Sequence, residues 1–195
     1  MDRAGLLYSG GKDSSLAALL LEEFYDLTLV TGTFGVTDTW RHARRAAEAL
    51  GIDHTQLALD RSVAVEAVET MRADGYPRNG IQLVHNHALE RLATDQTFDV
   101  IADGTRRDDR VPTVSRADAQ SLEDRHGVEY VAPLAGFGRS AIDTLVARRL
   151  QIETGPSETL PTGDYEAELR VLLRDRGGDV EAIFPSHVQS ITTGR

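Results

Sequence analysis

Short apolar runs alternate along the chain with longer stretches in which apolar residues recur at helical spacing. The runs at 4–9, 27–34, 55–60, 99–104 and 129–134 are rich in aliphatic or β-branched residues. Each ends at Gly, Ser, Thr, Pro or Asp, the pattern of buried strands. Between them, Leu16, Leu19, Leu20 and Phe24 share one helical face. Trp40, Ala43, Ala47 and Leu50 share another, with Arg41, Arg44, Arg45 and Glu48 off it. The stretch 61–96 predicts two helices broken at Gly75-Tyr76-Pro77, 115–125 a further helix, and 163–176 one that stops at Gly177-Gly178. Unbroken apolar strands separated by helices need cover on both faces. The expected fold is a doubly wound, Rossmann-like α/β domain with a five-stranded parallel sheet and right-handed crossovers, and with 155–195 as a C-terminal extension packed on it.

Composition narrows the classes. With 41% apolar, 27% charged and 6% aromatic residues the chain is neither disordered nor coiled-coil nor collagen-like, and its longest apolar run, 16–21, is too short to span a bilayer. No membrane partner is expected. With no cysteine there is no disulfide, thiolate metal site, iron–sulfur cluster or cysteine nucleophile, and without a charged-then-apolar leader a cytoplasmic location is expected. Formal charge is −10, and Lys12 is the only lysine among 21 basic residues, a balance expected of chains adapted to near-molar salt. Acidity argues against general affinity for nucleic acid, leaving local arginine clusters as the place for RNA.

In parallel sheets ligands collect beyond the carboxyl ends of the strands. After the first strand comes Ser9-Gly10-Gly11-Lys12-Asp13-Ser14-Ser15, with helical spacing beginning at once. Glycines let backbone approach an anion, successive amides and the helix N-terminus point at it, the hydroxyls add donors and Lys12 adds charge. A carboxylate beside polyphosphate is repulsive unless a divalent cation lies between them, so Asp13 predicts Mg²⁺. The bland alternative is a capped helix after a tight glycine turn, with no ligand. The solitary lysine favours the phosphate site, because a chain that otherwise uses arginine has kept one compact ammonium here. Neither the Walker A spacing nor the dinucleotide fingerprint is met.

The segment SGGKDS resembles the PP-loop of the ATP pyrophosphatases, the adenine nucleotide alpha hydrolase-like superfamily. That resemblance implies ATP bound at this turn and split between its α and β phosphates, with an acceptor adenylated and pyrophosphate released. It implies that Ser9, Gly10, Gly11, Lys12, Ser14 and Ser15 hold the β and γ phosphates and that Asp13 helps place Mg²⁺. It also implies that backbone at Thr31–Phe34, including Thr33 and Phe34, cradles adenine; Phe34 reads equally as core. Further segments, GYP…IQ..H at 75–85, DGTRRDDRVP at 103–112, QSLEDR at 120–125, PLxGFG at 133–138 and GDYEAELR at 163–170, are similar to a small archaeal PP-loop family. That family is described as predicted alpha hydrolases or as a predicted subunit related to tRNA 2-thiouridine enzymes.

After the fourth run stands Asp103-Gly104-Thr105-Arg106-Arg107-Asp108-Asp109-Arg110. By resemblance the Gly104-Thr105 element meets the α phosphate or the acceptor. Charge runs are usually solvated, mutually neutralising loops, but the position favours function, with Asp103, Thr105 and Arg107 as the expected catalytic residues beside Lys12 and Asp13.

Lacking cysteine, a thiolating enzyme would need sulfur from a partner protein or free sulfide. Amidation with ammonia, free or delivered by another chain, needs no thiol, and a nucleotide-sensing module needs no turnover. The expected ligands are ATP and Mg²⁺, with tRNA as the favoured acceptor-bearing partner. His85 and His87 are splayed on a helix and read as structural or pocket-lining rather than as a zinc site. Asn79, Gln82 and His85 share a face that could line an acceptor pocket. Arg148-Arg149 and Arg170, Arg174 and Arg176 read as solvated faces, and Glu166 and Glu168 point from different sides of a helix.

Overall fold

A computed structural model describes residues 1–195 and places β1 (Arg3–Leu7), β2 (Asp26–Thr33), β3 (Asp53–Ala58), β4 (Val100–Ala102) and β5 (Glu129–Val131) in one sheet. The order is β3-β2-β1-β4-β5 and every neighbouring pair is parallel, which is the doubly wound α/β fold expected. The intervening helices are α1 (Lys12–Leu21), α2 (Trp40–Leu50), α3 (Arg61–Asp74), α4 (Arg78–Ala93) and α5 (Arg116–His126). After β5 come α6 (Arg139–Arg149), β6 (Gln151–Pro156), α7 (Tyr165–Asp175), α8 (Val180–Ile183) and β7 (Val188–Gly194).

Strand periodicity divides the core. Leu7, Val30 and Ile101 face a cluster of 21 buried residues completed mainly by α3, α4 and α7, while Leu6, Leu29 and Ala102 face one of 20 completed by α1, α2 and α6. The clusters are nearly equal, so the sheet is buried on both sides, and its central strands carry apolar residues without alternation. The break at Gly75-Tyr76-Pro77 separates α3 from α4 as expected, with Gly75 in the left-handed conformation (φ 76°). Ser115 closes a capping box on α5 with Asp118.

Two features differ from expectation. Phe24 does not extend the face of Leu16 and Leu19, because α1 ends at Leu21 and the chain turns into β2; the ring is 69% exposed. The antiparallel ribbon of β6 and β7 was not anticipated, nor were α6 and α8. The ribbon is polar and largely exposed, α6 buries only Ile142 and Val146, and α8 spans 4 residues, so none carries a strong apolar period. No helix is long and apolar enough to cross a membrane.

From β1 the chain proceeds outward to β2 and β3, then returns to lay β4 on the other side of β1. That reversal opens a crevice beyond the carboxyl ends of β1 and β4, where such sheets bind ligands. The C-terminal segment reaches the same place: Gly163 N donates to Ser9 O (2.8 Å) and Thr192 N to Gly10 O (2.8 Å).

Candidate functional site

The turn from β1 into α1 leaves its donors open. Gly10 takes φ 82°, and a Cβ there would stand 3.1 Å from Ala43 Cα, so the turn needs glycine on both counts. Gly11 caps α1 without a side-chain hydrogen bond, and the amides of Lys12, Asp13 and Ser14 find no acceptor in the protein. Ser9 Oγ accepts from Gly11 N (3.3 Å) and pairs with Ser14 Oγ (3.3 Å), which also donates to Gly11 O (3.1 Å). Ser15 is fully buried against Tyr8, their hydroxyls 2.9 Å apart. Burial pushes the Tyr8 phenol up to about 12, against the opposing effect of the Ser15 bond.

A cavity of about 400 Å³ opens beside this turn. Ser9, Asp13, Ser14, Asp103, Gly104 and Thr105 line it together with His85, Tyr165 and the apolar Pro77, Ile81, Val111, Pro112 and Phe184. Its charged lining is otherwise acidic: Asp109, Asp164 and Glu166 contribute, and no lysine or arginine does. Burial and the neighbouring Asp164 raise the Glu166 carboxyl, with Arg170 working against them.

Asp13 is the pivot of the charges at the rim. Its Oδ2 lies 3.4 Å from Arg106 Nη1, and its Oδ1 lies 3.4 Å from Lys12 Nζ. The second contact lacks hydrogen-bond geometry, so Oδ1 is a buried oxygen with no hydrogen bond. Lys12 also reaches Asp143 Oδ1 on α6 (3.4 Å). Arg106 is held by Asp109 through Nη2 (2.8 Å) and Nε (3.1 Å). Burial works to lower the Arg106 guanidinium, but Asp109 and Asp13 outweigh it and raise it.

Asp103, at the end of β4, is the most heavily bonded group of the cavity. Oδ1 accepts from Thr105 N (2.9 Å) and Thr105 Oγ1 (2.6 Å), and Oδ2 from Tyr130 Oη (3.0 Å). His85 Nε2 stands 2.8 Å from Oδ2. Burial acts to raise the Asp103 carboxyl, yet the hydrogen bond and charge of His85 and the two bonds from Thr105 hold it below the usual carboxylate range.

Of the expected site residues, Ser9, Asp13, Ser14, Asp103, Gly104 and Thr105 share the cavity. Gly10 and Gly11 shape its turn. Lys12 lies on a second cavity, between α6 and the ribbon, beside Asp143, and Ser15 lies in the core. Arg107 turns away toward Gly138 at the start of α6, and its neighbour Arg106 takes the place beside Asp13. Thr33 and Phe34 stand off the cavity. The Phe34 ring is core, its amide donates to Glu168 Oε2 (2.8 Å), and Thr33 Oγ1 donates to Glu168 Oε1 (3.1 Å). His85 lines the cavity, whereas His87 accepts from Asp60 N (3.1 Å), Asn79 bonds Asp74 and Gln82 bonds Thr113. Arg170 is not a solvated face residue: it pairs with Glu166 (2.7 Å) and donates to Phe184 O (2.9 Å).

Sequence reasoning missed Glu168, Tyr165 and Arg106. Glu168 is buried, and its carboxylate also accepts from Val36 N (2.8 Å) and Thr37 N (3.2 Å), tying α7 to the loop after β2. The one signal for it was an acid at a position where α7 is otherwise apolar, between Tyr165 and Leu169.

Residues 1–194 match the family of unknown function DUF7411. The chain belongs to that family. It is 41% identical over 190 residues to the uncharacterized protein MJ0690 of Methanocaldococcus jannaschii, covering 97% of this chain and 94% of that one. Among solved structures it is similar to the predicted subunit of tRNA methyltransferase from the same organism, with 39% identity, a TM-score of 0.91, and coverage of 100% of this chain and 97% of that one. A U34-tRNA thiolase, NcsA of Methanococcus maripaludis with its [4Fe-4S] cluster, has a TM-score of 0.50 and 16% identity over 75% of this chain and 56% of its own, a likeness of fold alone.

Proposed function

We propose that this DUF7411 protein is a PP-loop enzyme that binds Mg·ATP at the β1–α1 turn and transfers AMP to an acceptor in tRNA modification, releasing pyrophosphate. One observation carries the reading. Three successive amides at the start of α1 have no acceptor, and the adjoining Asp13 Oδ1 is buried without a hydrogen bond. Open amides with a helix dipole behind them suit phosphate oxygens, and a lone carboxylate suits a metal that takes its other ligands from phosphate and water. Gly104 supports the same site by bringing the end of β4 against α1, where a Cβ would stand 2.9 Å from Ser14 Cα.

The protein's part in the reaction is binding and charge. Attack on the α phosphorus breaks its bond to the bridging oxygen, and negative charge grows on the departing pyrophosphate. Amides already aimed at that group stabilise the transition state more than the ground state. Lys12 and Arg106 supply cationic charge at the rim, Lys12 by leaving Asp143. Asp13 would hold Mg²⁺, which when bound would supply charge neutralisation for the same leaving group.

The tRNA assignment draws on the relative at 39% identity, a predicted subunit of tRNA methyltransferase. With no cysteine in these 195 residues, any sulfur or ammonia that displaces AMP comes from a partner or from solution. Incubation with Mg·ATP and bulk tRNA tests the proposal, with AMP and pyrophosphate expected. ADP with phosphate contradicts it, and intact ATP turns the reading toward a nucleotide-sensing module. Nucleoside mass spectrometry of tRNA from a deletion strain then identifies the modification, and an unchanged profile removes tRNA as the acceptor.

A further inference from the structure

The grip on phosphates leaves the most deeply buried polar pair of the cavity unused. His85 and Asp103 side chains are 6% and 2% exposed, with Nε2 and Oδ2 2.8 Å apart. Asp103 also receives Thr105 N, Thr105 Oγ1 and Tyr130 Oη. A carboxylate that collects this many donors is ionised and acts only as an acceptor, so the proton between the pair sits on Nε2. In the neutral imidazole this pairing fixes the tautomer and places the lone pair on Nδ1, for which the protein offers no hydrogen-bond partner. The Tyr165 ring meets the imidazole edge-on at 6.3 Å between centroids, and Ile81, Val111 and Phe184 line the same cavity.

We propose that His85, oriented by Asp103, is the general base for the second substrate of this site, and that this substrate is an uncharged acceptor arriving with a proton on its attacking group, not a carboxylate. The inference rests on the adenylation reading above. A carboxylate acceptor is already ionised and has no use for a base, and it would face Asp164, a lining carboxylate bonded to Thr162 and Ala167 with no cationic partner. A neutral O–H or N–H acceptor, or a carbonyl made nucleophilic by losing an adjacent N–H proton, needs what Nδ1 offers. In the step, the acceptor heteroatom bonds to the α phosphorus, and the bond from that phosphorus to the bridging oxygen breaks. The electron pair leaves with pyrophosphate, and the acceptor's proton passes to Nδ1.

The test uses the full chain with Mg·ATP and three probes, hydroxylamine, acetate and bulk tRNA, following pyrophosphate and the AMP adduct of each probe. Hydroxylamine is expected to outpace acetate. His85→Ala is expected to slow hydroxylamine-dependent pyrophosphate release about 100-fold, to leave ATP affinity within about threefold, and to recover at least about tenfold with added imidazole, a rescue that a merely structural histidine does not show. Nitrogen NMR of the wild-type chain reads the dyad even if the variant fails to fold, with the neutral His85 proton expected on Nε2. Wild type that releases no pyrophosphate with any probe overturns the adenylation reading and this inference together. Wild type that releases pyrophosphate while His85→Ala does so equally fast overturns the inference alone. A preference for acetate, a proton on Nδ1 or an unrescued variant does the same.

Discussion

Gly104 and Ser14 are packed so closely that a Cβ on the glycine would lie 2.9 Å from Ser14 Cα and 3.0 Å from its amide nitrogen. The obstruction is backbone of α1's first turn, which cannot swing aside as a side chain can. Gly104→Ala is therefore expected to cost about 1–3 kcal/mol of stability. By displacing the open amides it should also weaken ATP binding more than the stability loss alone would. Thermal unfolding and ATP titration on the same sample check both effects. Gly136→Ala, where a Cβ meets nothing within 4 Å, is the control and should stay within about 0.5 kcal/mol of wild type.

Glu168 supports the loop after β2 from inside. Its carboxylate accepts the amides of Phe34, Val36 and Thr37 and the Thr33 hydroxyl. Glu168→Ala strands buried donors and is expected to cost about 3 kcal/mol in urea denaturation. Glu168→Gln keeps one acceptor but turns an NH₂ toward N–H groups, and should fall between the two. A Glu168→Ala protein as stable as wild type contradicts this role.

Much of this was legible in the chain. The central strands β1, β2 and β4 appeared as apolar runs, because burial on both faces removes the polar alternation, and the β1–α1 turn appeared as glycines and hydroxyls at a strand-to-helix junction. What stayed hidden depends on contacts distant in sequence. Glu168 lies 134 positions from Phe34, whose amide it accepts. Its place on the apolar face of α7 is the one local hint, and that hint does not name the amides it meets. Arg106 and Arg107 are adjacent and chemically identical, and only the path of the loop decides which one meets Asp13. Lys12 was legible as special, but its contact with Asp143 comes from α6, which carries little apolar period.

Asp103 links the site to acid stability. Its folded carboxyl is held below the usual range, where an unfolded aspartate titrates near about 3.9. A group depressed on folding contributes stability that is complete above the unfolded value and is lost as pH falls through the folded one. Denaturation midpoints are therefore expected to decline as pH drops below about 4, and Asp103→Asn should flatten that part of the decline while lowering stability at neutral pH. An unchanged acid slope in the variant assigns the decline to other carboxylates.

The proposed grip separates Lys12 from Asp13. Lys12→Ala removes the cation that the proposal moves from Asp143 to phosphate and is expected to weaken ATP about tenfold, with or without metal. Asp13→Asn keeps the shape but loses the metal-facing charge, so the ratio of ATP affinities measured with Mg²⁺ and with a chelator should fall to about one. Calorimetric titration in both buffers distinguishes them. Wild-type affinity in both variants moves the nucleotide elsewhere.

Arg106 and Arg107 provide the sharpest contrast, since they differ in placement and not in chemistry. Arg106 has a side chain only 16% exposed, fixed by Asp109 at 2.8 Å and facing Asp13 at 3.4 Å. Arg107 points toward Gly138, with its Nη2 3.6 Å from where a Cβ on that glycine would stand. A preorganised cation at the rim stabilises charge as it develops on the leaving pyrophosphate, while one directed at the start of α6 does not. Arg106→Ala is expected to slow AMP formation about 100-fold, and Arg107→Ala to leave it within about threefold unless the acceptor itself reaches that side. Because Arg106 also neutralises Asp13 and Asp109, its loss should lower the Mg²⁺ concentration that gives half the maximal rate, since the two uncompensated carboxylates then hold the metal more tightly. Single-turnover rates across a magnesium series read both effects, and equal loss in the two variants overturns the assignment of Arg106 to the leaving group.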